Sequence, residues 1–394
     1  MKLYHGSPKD LKVLKPQQAR GTNEFENTRS IFLTKTFQNA ALYSLGKTLK
    51  GKTAFALPPN KLLVVGNYTP LSEGYVYEVN VDATKGIWNQ YSYDKTIKVF
   101  KKTKIKLEDY KDRIHHVKNK EELFKECLRE KKKWLNLQGY SIPRLKFLES
   151  KPNHYLNTIL RFLMPRAGEW AWENKILNEY PSLKKNLLKS KNSYEKEEII
   201  KKYFSDVHCS KNKEIKNKKR SFQREWNKTE DRFMLELFET IGIFFPKNIR
   251  TIKAHITLIP ICPRNLKDYS FDIYCNFKIS QMKAVCMHEI FHFLYFKKYK
   301  EVFSKRTQKC EYKLGLHLSE IVPSVVLNTE KFQQIMKYKH KTYEEYKRIK
   351  INGICLVDNV ASMFERRRNF EDFLIKTDTF FSKNKQKIEK ALKD

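Results

Sequence analysis

The eleven residues from Cys286 to Phe296, CMHEIFHFLYF, constrain this 394-residue chain more than any other stretch. Val285, Cys286, Met287, Ile290, Phe291, Phe293, Leu294 and Phe296 place apolar side chains on nearly every side of a helix, and a helix that is apolar all round belongs in a core. Between Lys283 and Lys297 the strongly polar side chains are His288, Glu289 and His292. Residues four apart share a helix face, so His288 and His292 can aim their rings at one point about 2 Å from each nitrogen. Glu289, one step round, is poorly placed to join them but can reach a water held at that point. This is the mechanical content of H-E-x-x-H: two metal ligands and a general base for metal-bound water. Without a metal, the same trio would leave charge desolvated with no evident partner. The expectation is a Zn2+ site, with His288 and His292 as ligands and Glu289 as the catalytic base.

Catalytic zinc takes a third protein ligand and keeps one position open. Downstream, KLGLHLSEIVPSVVLN carries Glu320 in an apolar helix, where a carboxylate is poorly solvated unless it is paired or ligating. His317, Glu311 and Glu301 are the other candidates, and His317 could instead support a neighbouring group. Tyr274, Tyr312, His317 and His340 are all open as oxyanion donors. The strands expected just before the helix, HITLIPI and FDIYCNF, offer edges to which an extended peptide could pair.

H-E-I-F-H followed by the Glu of LSEIVPSVVLN resembles the gluzincin group of zinc metallopeptidases over roughly residues 250–330. The resemblance implies His288, His292 and Glu320 as ligands, Glu289 as base, and hydrolysis of a peptide or protein substrate. The metzincin pattern is excluded, because it needs Gly at 295 and His at 298 where this chain has Tyr295 and Lys298. Gluzincins of the thermolysin type often carry an Asp four residues after the ligand Glu. Ser324 stands there, which leaves the partner that orients His288 unassigned.

The N-terminal segment has a different character. KLYH, SIFLT, TAFAL, KLLVVG, GYVYEVNV and TIKVFKKTKI read as short strands, with one helix at TFQNAALYSLG that Thr36 caps. The order of His-Gly-Ser on the first strand, a strand ending at Thr34 and a helix carrying Tyr43 is similar to the ADP-ribosyltransferase-like fold. That resemblance implies that His5 and Tyr43 hold a nicotinamide dinucleotide and that Glu73 or Glu78 acts in transfer. The alternative activity is therefore an NAD- or nucleotide-handling transferase, although a binding or targeting module is the reading preferred for this segment.

Near residue 117 the pattern turns helical, with a capping box at Asn119 and Glu122. Helices are expected at 119–137, 153–164, 169–190, 193–206 and 218–243, with the Lys-rich run 211–220 as a separator. Ser280 is expected to cap the HEIFH helix, and Gly315 and Gly353 to break later ones. The fold class is α+β: a β-rich N-terminal domain at 1–116, then a mainly helical zincin-like domain at 117–394. Within the latter, 117–249 is a helical region and 250–394 a zinc-site core with a short sheet before the HExxH helix.

The net charge of +35 raises a nucleic-acid partner, for which Lys211–Lys228 is the best local footprint. The excess is mostly Lys and spreads along the chain, which reads instead as solvated faces, with a second alternative of a basic nucleic-acid-associated protein bearing a structural zinc site. Seven scattered cysteines without a C-x-x-C pair read as reduced thiols. The absence of an apolar leader or a long apolar run gives a cytoplasmic protein without a membrane partner as the expectation.

Overall fold

Alternation of apolar and polar residues through the first 106 positions produces antiparallel strands in the computed structural model, which describes residues 1–19, 25–47, 49, 53–56, 61–163, 172–304 and 312–392. The main sheet runs in the order 101–106, 73–80, 2–7, 29–34, 90–93, 84–85, with 17–18 added beside 29–34. Leu3, Ile31, Leu33, Tyr77, Val79 and Tyr91 form its buried core on one face. The helix Phe37–Gly46 covers the other face with Ala40, Ala41 and Leu45 against Val76 and Ile105. The Thr36 hydroxyl caps that helix by accepting from the Asn39 N–H at 3.4 Å, which uses a donor that the first turn would otherwise leave unpaired.

Close approach of this helix to the sheet depends on glycine. A Cβ at Gly6 would lie 1.9 Å from the Ala40 carbonyl oxygen, and one at Gly74 would lie 2.3 Å from Ser44 Oγ. His5-Gly6-Ser7 is thus the inner end of the strand Lys2–Ser7, held against backbone.

The chain divides into two compact units, and the first extends past residue 116: it comprises Met1–Ile142, Phe238–Asn248 and Arg367–Phe373. The helix Lys120–Leu137 belongs to it because its buried Leu128, Trp134 and Leu135 pack along the strands Lys61–Val65 and Ile114–Val117. The capping signal is present, with Asn119 Oδ1 accepting from the Glu122 N–H at 3.0 Å, while the Glu122 carboxylate takes the Lys118 N–H at 2.6 Å.

The second unit contains Pro143–Leu237, Ile249–Arg366 and Leu374–Asp394. Its four-stranded sheet runs 144–149, 251–257, 270–274, 264–265, the first three parallel and the last antiparallel. The strand Arg144–Glu149 lies inside the stretch expected to be helical. RLKFLE alternates, with Leu145 and Phe147 buried, and that period of two decides the outcome. Both strands expected as free edges, 251–257 and 270–274, are interior, so the edge beside the key helix is Arg264–Asn265.

Helix boundaries differ in three places. The Lys-rich run does not interrupt anything: a single 35-residue helix spans Ser193–Asn227, since Lys is a good helix former and Ile215 and Phe222 anchor the run to the core. Pro181 splits the stretch expected at 169–190 into Glu173–Glu179 and Pro181–Leu187, residues 169–171 lying outside the described ones. The HEIFH helix, Ile279–Phe303, is capped at Lys278, whose N–H donates to Gln281 Oε1 at 2.9 Å. Gly315 sits within the helix Tyr312–Val326, whereas Gly353 follows Asn352 in a left-handed turn between two short strands. Among the described residues no helix is long and apolar enough to cross a membrane.

Replacing Gly6 by Ala forces strand and helix apart, and we expect a loss of about 3 kcal/mol in chemical denaturation. An unchanged midpoint would mean that the helix shifts without cost.

Candidate metal centre

Met287, Ile290, Phe291 and Leu294 drive the Ile279–Phe303 helix into the core, and His288, Glu289 and His292 go in with them; His292 is completely buried. Glu320 arrives from the helix Tyr312–Val326, which packs beside it. His288 Nε2 lies 2.8 Å from His292 Nε2 and 3.3 Å from Glu320 Oε2, and His292 Nε2 lies 3.6 Å from Glu320 Oε1. Among the described residues this is the one group of three or more His, Cys, Asp or Glu whose ligand atoms converge, all within 4.8 Å of one another.

A hydrogen-bond relay fixes the tautomer of His288. The Lys341 carbonyl can only accept, so His340 Nδ1–H donates to it at 3.1 Å. Burial pushes the His340 imidazole down to about 3, so the ring is neutral and its Nε2 accepts from His288 Nδ1–H at 2.8 Å. The lone pair of His288 Nε2 is thereby left facing His292 and Glu320. Asn328 secures the relay: its Nδ2 donates to the His340 carbonyl at 2.9 Å and its Oδ1 accepts the His340 N–H at 2.7 Å. His340 therefore fills the orienting role that Ser324 cannot, because the Ser324 hydroxyl donates to the Ile321 carbonyl of its own helix.

Arg264 closes the other side. Its Nη1 donates to Glu289 Oε2 at 3.3 Å and its Nη2 to Glu320 Oε1 at 2.6 Å. Burial alone would raise the Glu320 carboxyl, but His292, His288 and Arg264 outweigh it and hold the group well below the usual carboxylate range. Burial keeps the Glu289 carboxyl raised despite Arg264. The His292 imidazole is pushed well down by burial and by Arg264, so it stays neutral. Two imidazoles and one carboxylate form a donor set that zinc accepts. Among the described residues the buried Nδ1 of His292 has no hydrogen-bond partner, so none of them competes for this ring by pulling it out of the cluster.

The cluster opens into a cavity of about 390 Å³ whose lining includes Phe162, Trp172, Arg264, Glu289, Lys341 and Tyr343. The other ligand candidates are elsewhere. His317 is buried one turn from Glu320, its Nδ1 3.0 Å from the Tyr346 hydroxyl. Glu301 pairs with Lys298 at 3.1 Å, and Glu311 lies outside the described residues. Of the oxyanion candidates, Tyr274 donates to Glu179, His340 is engaged by His288, and the Tyr312 side chain is outside the described set.

The N-terminal residues are separately engaged. His5 Nδ1–H donates to the Phe32 carbonyl at 2.8 Å. Glu78 pairs with Lys2 and Lys101, each at 3.1 Å, and Glu73 pairs with Lys104 at 2.7 Å. Burial raises the Tyr43 phenol. Glu73 and Glu78 are an odd number of residues apart on the strand Glu73–Asn80, so they point to opposite faces. Within Lys211–Lys228, Lys219 pairs with Glu149 at 2.9 Å and Lys228 with Glu225 at 2.7 Å.

Arg264, Asn328 and Tyr343 escaped the reading of the sequence. Arg264 carried a faint signal, a lone cation just after the apolar stretch ITLIPICP. No protein-family model, curated protein or solved structure matches this chain.

Mass spectrometry of the native protein should find one zinc per chain, lost in His292→Ala and in Glu320→Ala. His340→Phe should weaken zinc binding by roughly 10- to 100-fold, the usual effect of removing the partner that orients a ligand. Full zinc retention in Glu320→Ala would remove it from the ligand set.

His5 gives a pH test. Burial pushes its imidazole down to about 4 from an unfolded value near 6.5. The unfolded chain then binds the extra proton between those values, so this contribution, about 3 kcal/mol, is complete above pH 6.5 and is lost as pH falls toward 4. His5→Gln should show a smaller drop in melting temperature between pH 7 and pH 4.5 than wild type; equal drops would show that His5 is not the group responsible.

Proposed function

We propose that this chain is a zinc-dependent metallopeptidase of the gluzincin kind, with His288, His292 and Glu320 as ligands and Glu289 as general base. One observation carries the reading: three ligand atoms from two helices converge on a point beside a buried carboxylate, at the wall of a cavity large enough for a short stretch of peptide. When bound, the metal supplies Lewis acidity, polarising a carbonyl and acidifying water.

The protein's own groups then divide the work. Arg264 occupies Glu289 Oε2, which leaves Oε1 to take a proton from the attacking water. As the water oxygen bonds to the carbonyl carbon and the C–N bond breaks, the same carboxyl returns that proton to the departing amine. Tyr343 lines the cavity with its phenol raised by burial and by the Glu320 and Glu289 charges, so it keeps its proton and can donate to the developing oxyanion. The sheet ends at Arg264–Asn265, and Cys262, Pro263 and Arg264 line the cavity, so an extended substrate can add to that edge by backbone hydrogen bonds.

The test is hydrolysis of an unbiased peptide mixture followed by mass spectrometry. Glu289→Gln should lower kcat by about 10³-fold with zinc content unchanged, the range for a positioned general base. Tyr343→Phe should lower it by about 10²-fold. Undiminished hydrolysis by Glu289→Gln would refute the assignment. Activity toward NAD that is lost in His5→Ala and kept in Glu289→Gln would move the chemistry to the N-terminal unit.

A further inference from the structure

A peptidase cavity has to recognise something beside the bond it cuts, and here the recognition chemistry is charged. The cavity that holds Glu289 and Glu320 is also lined by Lys175, Arg264 and Lys341. Those are the charged residues of its wall, so cations outnumber carboxylates before any metal is bound. In a chain with 79 Lys and Arg against 44 Asp and Glu, lysines at a cavity mouth carry little information by themselves. Arg264 does, because its side chain is only 19% exposed, and a guanidinium so far withdrawn from water is rarely placed without a use for its donors.

The donors can be counted. A guanidinium has five N–H groups. Glu289 and Glu320 take one each, and the described residues supply no other hydrogen-bond acceptor to Arg264. The guanidinium carbon also lies over the Phe296 ring, 5.7 Å from its centroid. Lys175 rests on the Trp172 ring at 4.8 Å, and neither it nor Lys341 has an ion pair among the described residues. Phe162, Trp172, Phe277, Tyr338 and Tyr343 supply apolar wall between these cations, which lowers the local dielectric and strengthens whatever anion they meet.

We infer that the substrate carries a carboxylate next to the scissile bond, either an acidic side chain or the chain's own C-terminus, and that Arg264 binds it while Lys175 and Lys341 draw it in. This rests on the peptidase reading of the same site. A carboxylate matches the fork of a guanidinium and can use two of its spare donors at once. Through its bonds to Glu289 and Glu320, Arg264 also makes carboxylate binding and the placement of the base depend on one side chain.

Binding and cleavage separate the two claims. Four peptides of one neutral sequence serve as probes: C-terminally amidated, with a free C-terminus, amidated with one Asp, and amidated with one Lys. Calorimetry on the zinc-loaded Glu289→Gln protein should show the Asp or the free-terminus peptide binding at least about tenfold tighter than the neutral amide, the ratio that one charge-assisted hydrogen bond supplies. Which of those two leads identifies the source of the carboxylate. The preference should shrink several-fold in Lys175→Gln and in Lys341→Gln, vanish in Arg264→Gln and partly persist in Arg264→Lys, with circular dichroism confirming that each variant is folded. Equal affinity for all four peptides, or tightest binding of the Lys peptide, overturns the inference. If zinc-loaded wild type cleaves peptides without regard to charge, this inference fails and the peptidase reading stands. If the carboxylate peptides bind selectively and none is cut, the peptidase reading fails and the anion site stands.

Discussion

Burying ionisable groups inside an apolar helix costs several kcal/mol for each unpaired charge, so the surroundings of His288, Glu289 and His292 had to be built to carry them. The solution centres on Arg264. One guanidinium faces two carboxylates, so Glu289 and Glu320 can both approach the core without both repelling each other unchecked. Its place on the two-residue strand Arg264–Asn265 is set by antiparallel pairing to Ser270–Tyr274, itself wholly buried. The sheet thus fixes the arginine, and the arginine fixes the acids. Removing the arginine would leave the two carboxylates without the cation they share.

Much of this was legible in the sequence wherever local pattern and chemistry coincide. HEIFH specifies helix, burial and donor spacing together, and Glu320 stood out because an acid in an apolar helix needs a partner. Thr36 and Asn119 cap their helices as their side-chain chemistry requires. Illegible parts depend on contacts between distant segments. His340 stood in the sequence as one of four open oxyanion candidates, and its orienting role comes from a Lys341 carbonyl and an Asn328 side chain that only the fold brings to it. Arg264 likewise gains its role only from two carboxylates on other elements. The Lys-rich stretch misled in the other direction, because charge density suggested a break where helix propensity and two buried side chains kept the helix going.

The N-terminal unit shows the same contrast. Its strands and helix follow the alternation of the sequence, yet the role of His-Gly-Ser depends on a contact 34 residues away, where Gly6 meets Ala40. Glycine there is a packing requirement at a strand–helix crossing. The acidic residues that spacing made attractive, Glu73 and Glu78, are each taken up by lysines across the sheet.

A single short loop joins most of the chemistry in the second unit. Residues 338–343 carry His340, which orients His288, together with Lys341 and Tyr343 on the cavity wall. Asn328 and Gln333 pin the loop, Gln333 through bonds to the Leu327 and Tyr338 carbonyls at 2.9 and 3.0 Å. Asn328 lies just beyond the end of the helix that carries Glu320, and Gln333 lies on the next helix, Glu330–Met336. On the proposed reading, ligand orientation, oxyanion donation and anion attraction are therefore all referred to the segment that follows the Glu320 helix. On that reading a change in this loop alters all three together while the HEIFH helix and its core remain packed, so the proposed substrate preference can change without rebuilding the two helices beneath the cavity.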